Sequence, residues 1–215
     1  MDKKEQLPEK TLHLPTSGLP DGLTLQNTRA EHAEALEKLQ ALVFPTLSPE
    51  ERMTAPHYLH HLTLFPQGQF VILDGGGQPV AMTTTIRYHY AVEDHTFLEI
   101  SDHLWMNTHE PNGAWLYGMD MGVHPDWRGK GLARVLYRAR QELCRHLGLA
   151  GQMTVGMPNG YIDCAHQMSL AEYYAALLAG TIKDPTVSAQ QKIGFEPVRL
   201  INNYLEDPQC GNGGV

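Results

Sequence analysis

Residues 117–133 read Tyr-Gly-Met-Asp-Met-Gly-Val-His-Pro-Asp-Trp-Arg-Gly-Lys-Gly-Leu-Ala, and this stretch predicts a strand, a short loop and the start of a helix. The strand should end at Val123, because Pro125 has no backbone N–H for a sheet and disfavours helix at the residue before it. The helix then carries an apolar stripe at helical spacing, formed by Leu132, Leu136, Ala139, Leu143 and Leu147. Gly148 stands where the residue after such a helix adopts a left-handed conformation.

Gly129 and Gly131 lie where this helix begins, and they predict a site for an anion. The first turn of a helix leaves about four N–H groups without intrahelical partners, and glycines let a phosphate approach them closely. Local positive charge comes from Arg128, Lys130 and Arg134, in a chain whose net charge is -8. The alternative is a Gly-Lys-Gly turn that only joins strand to helix. Neither a P-loop nor a dinucleotide fingerprint matches these residues.

On both sides of residues 117–133, the sequence alternates between strand and helix patterns. A strand at 23–27 precedes an amphipathic helix to Val43, and Ser48-Pro49-Glu50-Glu51 predicts the start of a helix that runs to Leu64. Further strands are predicted at 70–73, 79–88, 115–123 and 152–157, with a closing hairpin at 194–198 and 201–205. A capping box at Ser169 and Glu172 starts another helix. This order predicts a mixed sheet covered by helices, an α/β or α+β domain.

The composition of the chain predicts a single-domain globular protein and argues against several other classes. A chain of 215 residues, 42% apolar and 19% charged, is expected to fold as one domain without disulfides or a metal. No apolar run approaches the roughly 18 residues of a membrane span, and the N-terminus lacks a signal-peptide pattern. Three unpatterned cysteines favour a reducing compartment, so we expect a cytoplasmic protein. The acidic balance argues against nucleic acid as a partner.

Residues 123–133 resemble the acetyl-CoA-binding motif of the GCN5-related N-acetyltransferases, the GNAT family. Its core, Arg/Gln-x-x-Gly-x-Gly/Ala, is matched by Arg128, Gly131 and Ala133. The family has an Asn after its fifth strand, which is matched by Asn159. It also has a Lys-x-Gly-Phe motif near the end of the domain, which is matched by residues 192–195. The resemblance covers about residues 23–205. It implies the GNAT fold, a mixed and mostly antiparallel twisted sheet flanked by helices, with a helical insertion before the last strands.

The resemblance also implies direct transfer of an acetyl group from acetyl-CoA, the cosubstrate, to an amine. The residues expected to bind this cosubstrate are Met121, Gly122, Val123, Arg128, Gly129, Lys130, Gly131, Leu132, Ala133, Arg134 and Asn159. An amine with a pKa near 10.4 is almost wholly protonated at pH 7, so a general base is needed. Asp120 is the first candidate because it adjoins these residues. The others are Glu99 and Asp102, expected on or near the strand before it, and Asp163 in the insertion. Each could equally be an ordinary surface acid.

The family's usual proton donor to the thiolate is in doubt. Many relatives have a Tyr four residues before the closing Gly-Phe, where this chain has Gln190. Tyr204 is the tentative substitute, with Tyr161, Tyr173 and Tyr174 as alternatives. A packing role for each of these aromatic side chains is the competing interpretation. Without such a donor, a non-catalytic acyl-CoA-binding regulatory module is the alternative function.

The segment at about 160–188 is longer than the compact family pattern and should influence the choice of acceptor. Together with the chain's end, it is similar to the acetyltransferase-like segment that some proteins fuse to a nitrilase-type hydrolase. We expect a flexible arm at 1–22, the GNAT domain at 23–207 and a tail at 208–215. The partners expected are acetyl-CoA and an amine, for which the acidic net charge favours a cation, and a homodimer is allowed. The histidines at 57, 60 and 61 complete no metal-ligand set, so no metal is expected, and no membrane contact is predicted.

Overall fold

The computed structural model describes residues 12–90 and 93–215. One five-stranded sheet has the order β1-β2-β3-β4-β5. The strands are β1 (Thr24–Asn27), β2 (Phe70–Leu73), β3 (Pro79–Tyr88), β4 (Trp115–Val123) and β5 (Gly151–Thr154). The helices are α1 (Ala33–Val43), α2 (Ala55–Leu64), α3 (Phe97–Ser101), α4 (Leu132–Leu147), α5 (Leu170–Leu178) and α6 (Val187–Gln191).

Three of the four strand pairings are antiparallel, and β4 with β5 is the parallel one. The register of β3 against β4 shifts between Thr84 and Thr85, which pair with Asp120 and Gly118. Met119 is therefore an extra residue on β4, a β-bulge that bends the strand locally. The predicted fold is confirmed: the sheet is mixed, mostly antiparallel and flanked by helices.

Apolar side chains cover both faces of the sheet. On one face Leu36 and Leu39 of α1 and Tyr58 of α2 pack against strand residues that include Met82 and Tyr117. On the other face the α4 stripe packs against the sheet, with Leu136 fully buried. The two faces make a three-layer arrangement in which β4 lies between β3 and β5, and β5 forms an edge of the described sheet.

Several predicted boundaries match the structure, and three predictions are wrong. The helix predicted from Ser48 is a short turn of 3-10 helix followed by a break, and α2 begins only after Thr54. The closing hairpin is absent, since within the described residues 194–200 form no strand and Ile201 makes one isolated bridge, to Gly214. Glu99 was expected on or near a strand and instead lies in α3.

Both ends of the described chain contact the domain. Leu12, Leu14 and Leu19 pack against the core on the α4 side, and the Arg138 side chain donates to the Ser17 carbonyl over 3.1 Å. Residues 1–11 of the predicted arm lie outside the described residues, so its flexibility stays a prediction. At the other end, Val215 and Gly156 exchange two backbone hydrogen bonds just beyond β5.

Candidate active site

The loop before α4 has the conformation that its glycines predict. Gly129 and Gly131 have φ values of +74° and +83°, and a Cβ at either position would meet no atom within 4 Å. Gly131 precedes α4, and the first intrahelical hydrogen bond runs from the Val135 N–H to the Gly131 carbonyl. The N–H groups at the start of α4 therefore face an open surface. With the helix dipole behind them, these groups have the geometry and partial charge that suit an anion.

Positive side chains surround this loop. Arg128, Lys130 and Arg134 are all exposed. The Lys130 ammonium lies 4.4 Å from the centre of the Trp127 ring, which holds its charge beside the loop. The Arg128 side chain reaches back to the Val123 and Val43 carbonyls over 3.3 and 3.4 Å. Leu132 is buried, so only its backbone can contact a ligand.

Beside the loop, β4 and β5 separate. Their pairing ends at Gly118 and Thr154, where the Thr154 hydroxyl donates to the Gly118 carbonyl over 2.8 Å. Beyond that point most residues of 119–123 and of 155–159 border a cavity of about 210 Å³, which we call the gap. The predicted cosubstrate residues that line the gap are Met121, Val123, Ala133 and Asn159. Gly122 does not, because its Cα faces Met82 and Val43 in the core.

Asp120 lies at the wall of the gap and is fixed by the bulge. Its Oδ1 accepts from the Thr84 N–H over 2.7 Å, while its buried Oδ2 has no hydrogen-bond partner among the described residues. Burial raises the pKa of Asp120 to about 6, against the opposing effects of the Thr84 N–H and the Arg140 guanidinium. At pH 7 the carboxylate is largely ionised and its free oxygen can take a proton.

Tyr204 lines the same gap, and Glu99 does not. The Tyr204 ring is buried, and burial raises the pKa of its hydroxyl well above its ordinary value, so it stays protonated at neutral pH. Glu99 is exposed on α3, where its Oε2 accepts from the Thr96 N–H over 2.7 Å as part of a capping box. Hydrogen bonds to Thr96 lower its pKa, which is typical of a helix cap.

The other sequence candidates lie outside the gap. Asp102 accepts a hydrogen bond from Asn107 over 2.8 Å, and Asp163 is exposed in the insertion. Tyr161 and Tyr173 belong to a separate small core with α5, in which the Tyr173 hydroxyl donates to Asp184. Tyr174, on α5, does not line the gap either.

Three residues that were not predicted as site residues, Gln190, Tyr137 and Arg140, lie at or beside the gap. Gln190 donates from its Nε2 to the Tyr137 hydroxyl over 3.0 Å, and both side chains line the gap. Gly156 leaves room for that amide, since a Cβ there would lie 2.2 Å from Gln190 Oε1. The third is Arg140, which is 1% exposed, with its guanidinium against Gly118. A charged residue on the apolar face of α4 was the available signal for Arg140.

The insertion is attached at the mouth of the gap by a buried carboxylate. Asp184 accepts from the N–H groups of Gly160, Thr186 and Val187 over 2.7–2.8 Å. The Asn159 side chain donates to the Thr186 hydroxyl over 3.0 Å, and Thr186 itself lines the gap. The insertion thus forms part of the wall that a substrate would contact.

A second, larger cavity of about 470 Å³ lies across β5, and we call it the outer cavity. Its wall includes Tyr90, His95 and Trp115, together with residues 194–199. Thr154, Val155 and Gln190 border both cavities, so these side chains separate one from the other.

Two kinds of feature are absent from residues 12–90 and 93–215. No three His, Cys, Asp or Glu side chains there are grouped so that they could hold a metal ion. No helix in these ranges has the length and apolar character needed to cross a bilayer.

The chain is similar to known acetyltransferases in sequence. A model of the "Acetyltransferase (GNAT) family" matches residues 33–161. The uncharacterized N-acetyltransferase YkwB of Bacillus subtilis (strain 168) is 31% identical over 197 residues, which cover 91% of this chain and 87% of YkwB. The probable hydrolase YhcX of the same organism is 30% identical over 187 residues; this is 86% of this chain and 36% of YhcX. The second match fits the predicted likeness to a segment fused to a hydrolase.

Solved structures share the fold. The GphF GNAT-like decarboxylase in complex with isobutyryl-CoA gives a TM-score of 0.76 at 21% identity, over 89% of this chain and 95% of that one. The loading GNATL domain of CurA from Lyngbya majuscula gives 0.73 at 20% identity, over 89% and 94% of the two chains.

Proposed function

Because this chain belongs to the acetyltransferase (GNAT) family, we propose that it transfers an acyl group, in the simplest case acetyl, from a coenzyme A thioester directly to an amine. The observation that carries this proposal is the gap, which opens between β4 and β5 and is bordered by Ala133 in the first turn of α4. An extended pantetheine arm could pair with strand residues there and place the diphosphate on the helix N-terminus.

In this proposal the cosubstrate is held mostly by backbone. The Met121 and Val123 backbones would pair with the pantetheine amides, and the N–H groups of residues 129–134 would bind the diphosphate. Arg128, Lys130 and Arg134 would add charge attraction, which falls as salt rises. The thioester supplies the acyl group, and no metal is required for the transfer.

Asp120 is the proposed general base. An amine enters the gap as an ammonium, and only the neutral form attacks a thioester. A carboxylate with a pKa of about 6 is ionised at pH 7, and its Oδ2 is free to accept a proton. Its Oδ1 is meanwhile fixed by the Thr84 N–H, which keeps the side chain in one orientation. General base catalysis of this kind contributes roughly a hundredfold to ten-thousandfold in rate.

We propose Tyr137 as the group that donates a proton to the coenzyme A sulfur when it leaves. The Tyr137 hydroxyl accepts from Gln190, so its own proton is left for another acceptor. The pair would replace the single Tyr that the family resemblance places at position 190. A thiol with a pKa near 8.5 leaves readily, so this donor should matter less than Asp120.

The lining of the gap supports an amine with a compact apolar body. On the α1 side its wall is formed by Phe44, Leu47, Phe97 and Leu205, and Asp120 is the one carboxylate among its described lining residues. A polycation would lose its hydration there for a single counter-charge, at a large cost. We therefore propose an apolar amine in place of the cation that the net charge favours. Cytoplasmic location and a homodimer stay predictions.

A decarboxylase is a second candidate, because Asp120 could equally give a proton. A carboxyl group with a pKa of about 6 in an apolar site can protonate a carbanion left by loss of carbon dioxide. One structure of the same fold carries the description GNAT-like decarboxylase. A binding module without catalysis is the third possibility.

One set of assays separates the three. Calorimetry measures coenzyme A binding, thiol release from acetyl-CoA is followed with benzylamine and with spermidine, and carbon dioxide release is followed with malonyl-CoA. We expect binding, turnover of benzylamine in preference to spermidine, and loss of at least a hundredfold in Asp120→Asn. Asp126→Asn, an exposed acid beside the loop, is the matched control. Turnover of malonyl-CoA alone would favour the decarboxylase, and binding without any turnover would favour the module.

A further inference from the structure

We propose that the outer cavity binds the body of the acceptor and that this body is aromatic, so that the acceptor is an arylalkylamine whose amino group reaches the gap past Val155. The inference rests on the proposed acyl transfer and assigns its second substrate a place and a chemical class. The gap is small for two substrates. Ligand pockets usually measure about 300–1,000 Å³, whereas the gap has a volume of about 210 Å³ before any thioester enters it.

On one side the gap adjoins a cavity of about 440 Å³ that lies beside the loop before α4, and we call it the loop-side cavity. Met121, Val123 and Asn159 border both this cavity and the gap. Arg128, at the start of the loop, also lines the loop-side cavity. These four residues are among those proposed to hold the cosubstrate, so the pantetheine arm would enter the gap from this side.

The outer cavity meets the gap at a different place, where β4 and β5 separate. Thr154, Val155 and Gln190 border both, so one layer of side chains lies between them. The Thr154 hydroxyl donates to the Gly118 carbonyl at the last pair of the ladder, and Asp120 follows on β4 at the wall of the gap. Within the described residues, no side chain lines both the outer and the loop-side cavity. The two substrates would therefore approach the gap from different sides.

Aromatic side chains form much of the wall of the outer cavity. The rings of Tyr90 and Trp115 lie 5.3 Å apart between centres and are inclined by 43°, and Tyr117 and Phe195 also line the cavity. An aromatic ring bound among such side chains gains stacked or edge-to-face contacts in addition to the burial of apolar surface. The volume of about 470 Å³ lies within the usual range for ligand pockets and suits a bicyclic ring.

The charged side chains at this wall favour an amine without a carboxylate. Arg199 Nε lies 3.0 Å from Asp94 Oδ1, so the guanidinium already has a counter-ion within the protein. Glu196, which is exposed on the same wall, attracts an ammonium ion and repels a carboxylate. We therefore expect an aromatic amine in preference to an aromatic amino acid.

Turnover of amines with different bodies tests the proposal. With saturating acetyl-CoA, we expect kcat/KM to fall in the order tryptamine, benzylamine, hexylamine, because only the first fills the outer cavity with a bicyclic ring. A preference for benzylamine over tryptamine would place the whole acceptor in the smaller gap and would overturn the proposal.

Val198→Trp should fill the outer cavity without disturbing the core, because Val198 lines the cavity and is 68% exposed. We expect the KM for tryptamine to rise by about tenfold or more as the pocket loses room, with coenzyme A affinity unchanged. Leu178→Trp, at an exposed position of α5 outside all three cavities, is the matched control. An unchanged KM for tryptamine in Val198→Trp would contradict the assignment of the cavity.

Tyr90→Ala tests the aromatic contacts themselves. The loss of one such contact should raise the KM for tryptamine by about twofold to tenfold and leave the KM for hexylamine unchanged. Trp105→Ala removes an exposed aromatic side chain that lines none of the three cavities, and it should match the wild type. Equal losses for both amines in Tyr90→Ala would show that the side chain does not recognise a ring.

A further measurement does not depend on turnover. In ¹H–¹⁵N NMR spectra recorded with coenzyme A present, the product N-acetyltryptamine should shift the amide signals of residues 151–155 and 194–199, and Val198→Trp should remove these shifts. Shifts confined to residues 42–46 of the loop-side cavity, or no shifts, would overturn the site. If a wild type that binds coenzyme A turned over no amine, the acyl transfer would fail, and these spectra would still decide whether the outer cavity binds an aromatic ligand.

Discussion

Replacing Asp120 by Asn should make the protein less active and, above pH 6, more stable. The carboxyl group is buried and its pKa is raised from 3.8 to about 6. Since one pKa unit corresponds to about 1.4 kcal/mol, ionising this group in the folded protein costs about 3 kcal/mol at neutral pH. Asn has the same shape, can accept from the Thr84 N–H and has no charge to bury.

The sign of the pH dependence follows from linkage. Between pH 3.8 and about 6 the unfolded carboxyl group ionises while the folded one stays protonated, so wild-type stability falls as pH rises through this window. Above about pH 6 the carboxyl group of Asp120 is ionised in both the folded and the unfolded protein, so the free energy of unfolding falls no further. Asp120→Asn lacks this loss, so its stability relative to wild type should increase by about 2 to 3 kcal/mol between pH 4 and pH 8.

Urea unfolding of both proteins at a series of pH values measures this difference. The comparison across pH cancels any fixed cost of placing an amide at Oδ2. Asp126→Asn, exposed and close by, should show no such pH dependence. A wild type and an Asp120→Asn variant whose free energies of unfolding run parallel from pH 4 to pH 8 would refute the assignment of Asp120 as a buried, destabilised base.

Three further variants test other parts of the site. Gly131→Glu should abolish coenzyme A binding in calorimetry, whereas Gly148→Glu, with φ also positive but at the far end of α4, should retain it. Glu99→Ala should lower the stability through the lost capping box of α3 and leave turnover unchanged; a large loss of turnover would return Glu99 to the list of bases. Asp184→Ala should remove the acceptor of several buried N–H groups, at about 1–3 kcal/mol for each group left unpaired. It should speed hydrogen exchange across 160–188, and unchanged exchange there would count against Asp184 as the anchor of the insertion.

The strand and helix that contain or adjoin residues 117–133 could be predicted well from the sequence. The bounds of β4 and α4 match because Pro125, Gly131 and Gly148 act through local backbone geometry alone. The bounds of β2 and β3 and the Ser169 capping box match for the same reason. Local chemistry decides these features, so the residues alone are sufficient.

The wrong predictions and the missed features concern short segments or contacts distant in sequence. Residues 195–198 alternate like a strand, yet Val198 is 68% exposed and Pro197 offers no N–H to a ladder. The five residues of α3 are too few for a helical period to show. The bulge at Met119 arises from the register of β3 against β4, and it decides that Asp120 faces the gap. The pairing of Gln190 with Tyr137 spans 53 residues and left no local pattern.

β5 is four residues long and has a strand partner on one side only, among the described strands. An extended ligand in the gap would lie between β4 and residues 155–159 and continue the ladder that ends at Gly118 and Thr154. A ligand that binds only the folded form stabilises it by mass action. The unliganded protein should therefore be cleaved by proteases and should aggregate more readily than the liganded protein. If the proposed thioester is that ligand, its cellular supply would set how long each copy of the protein survives.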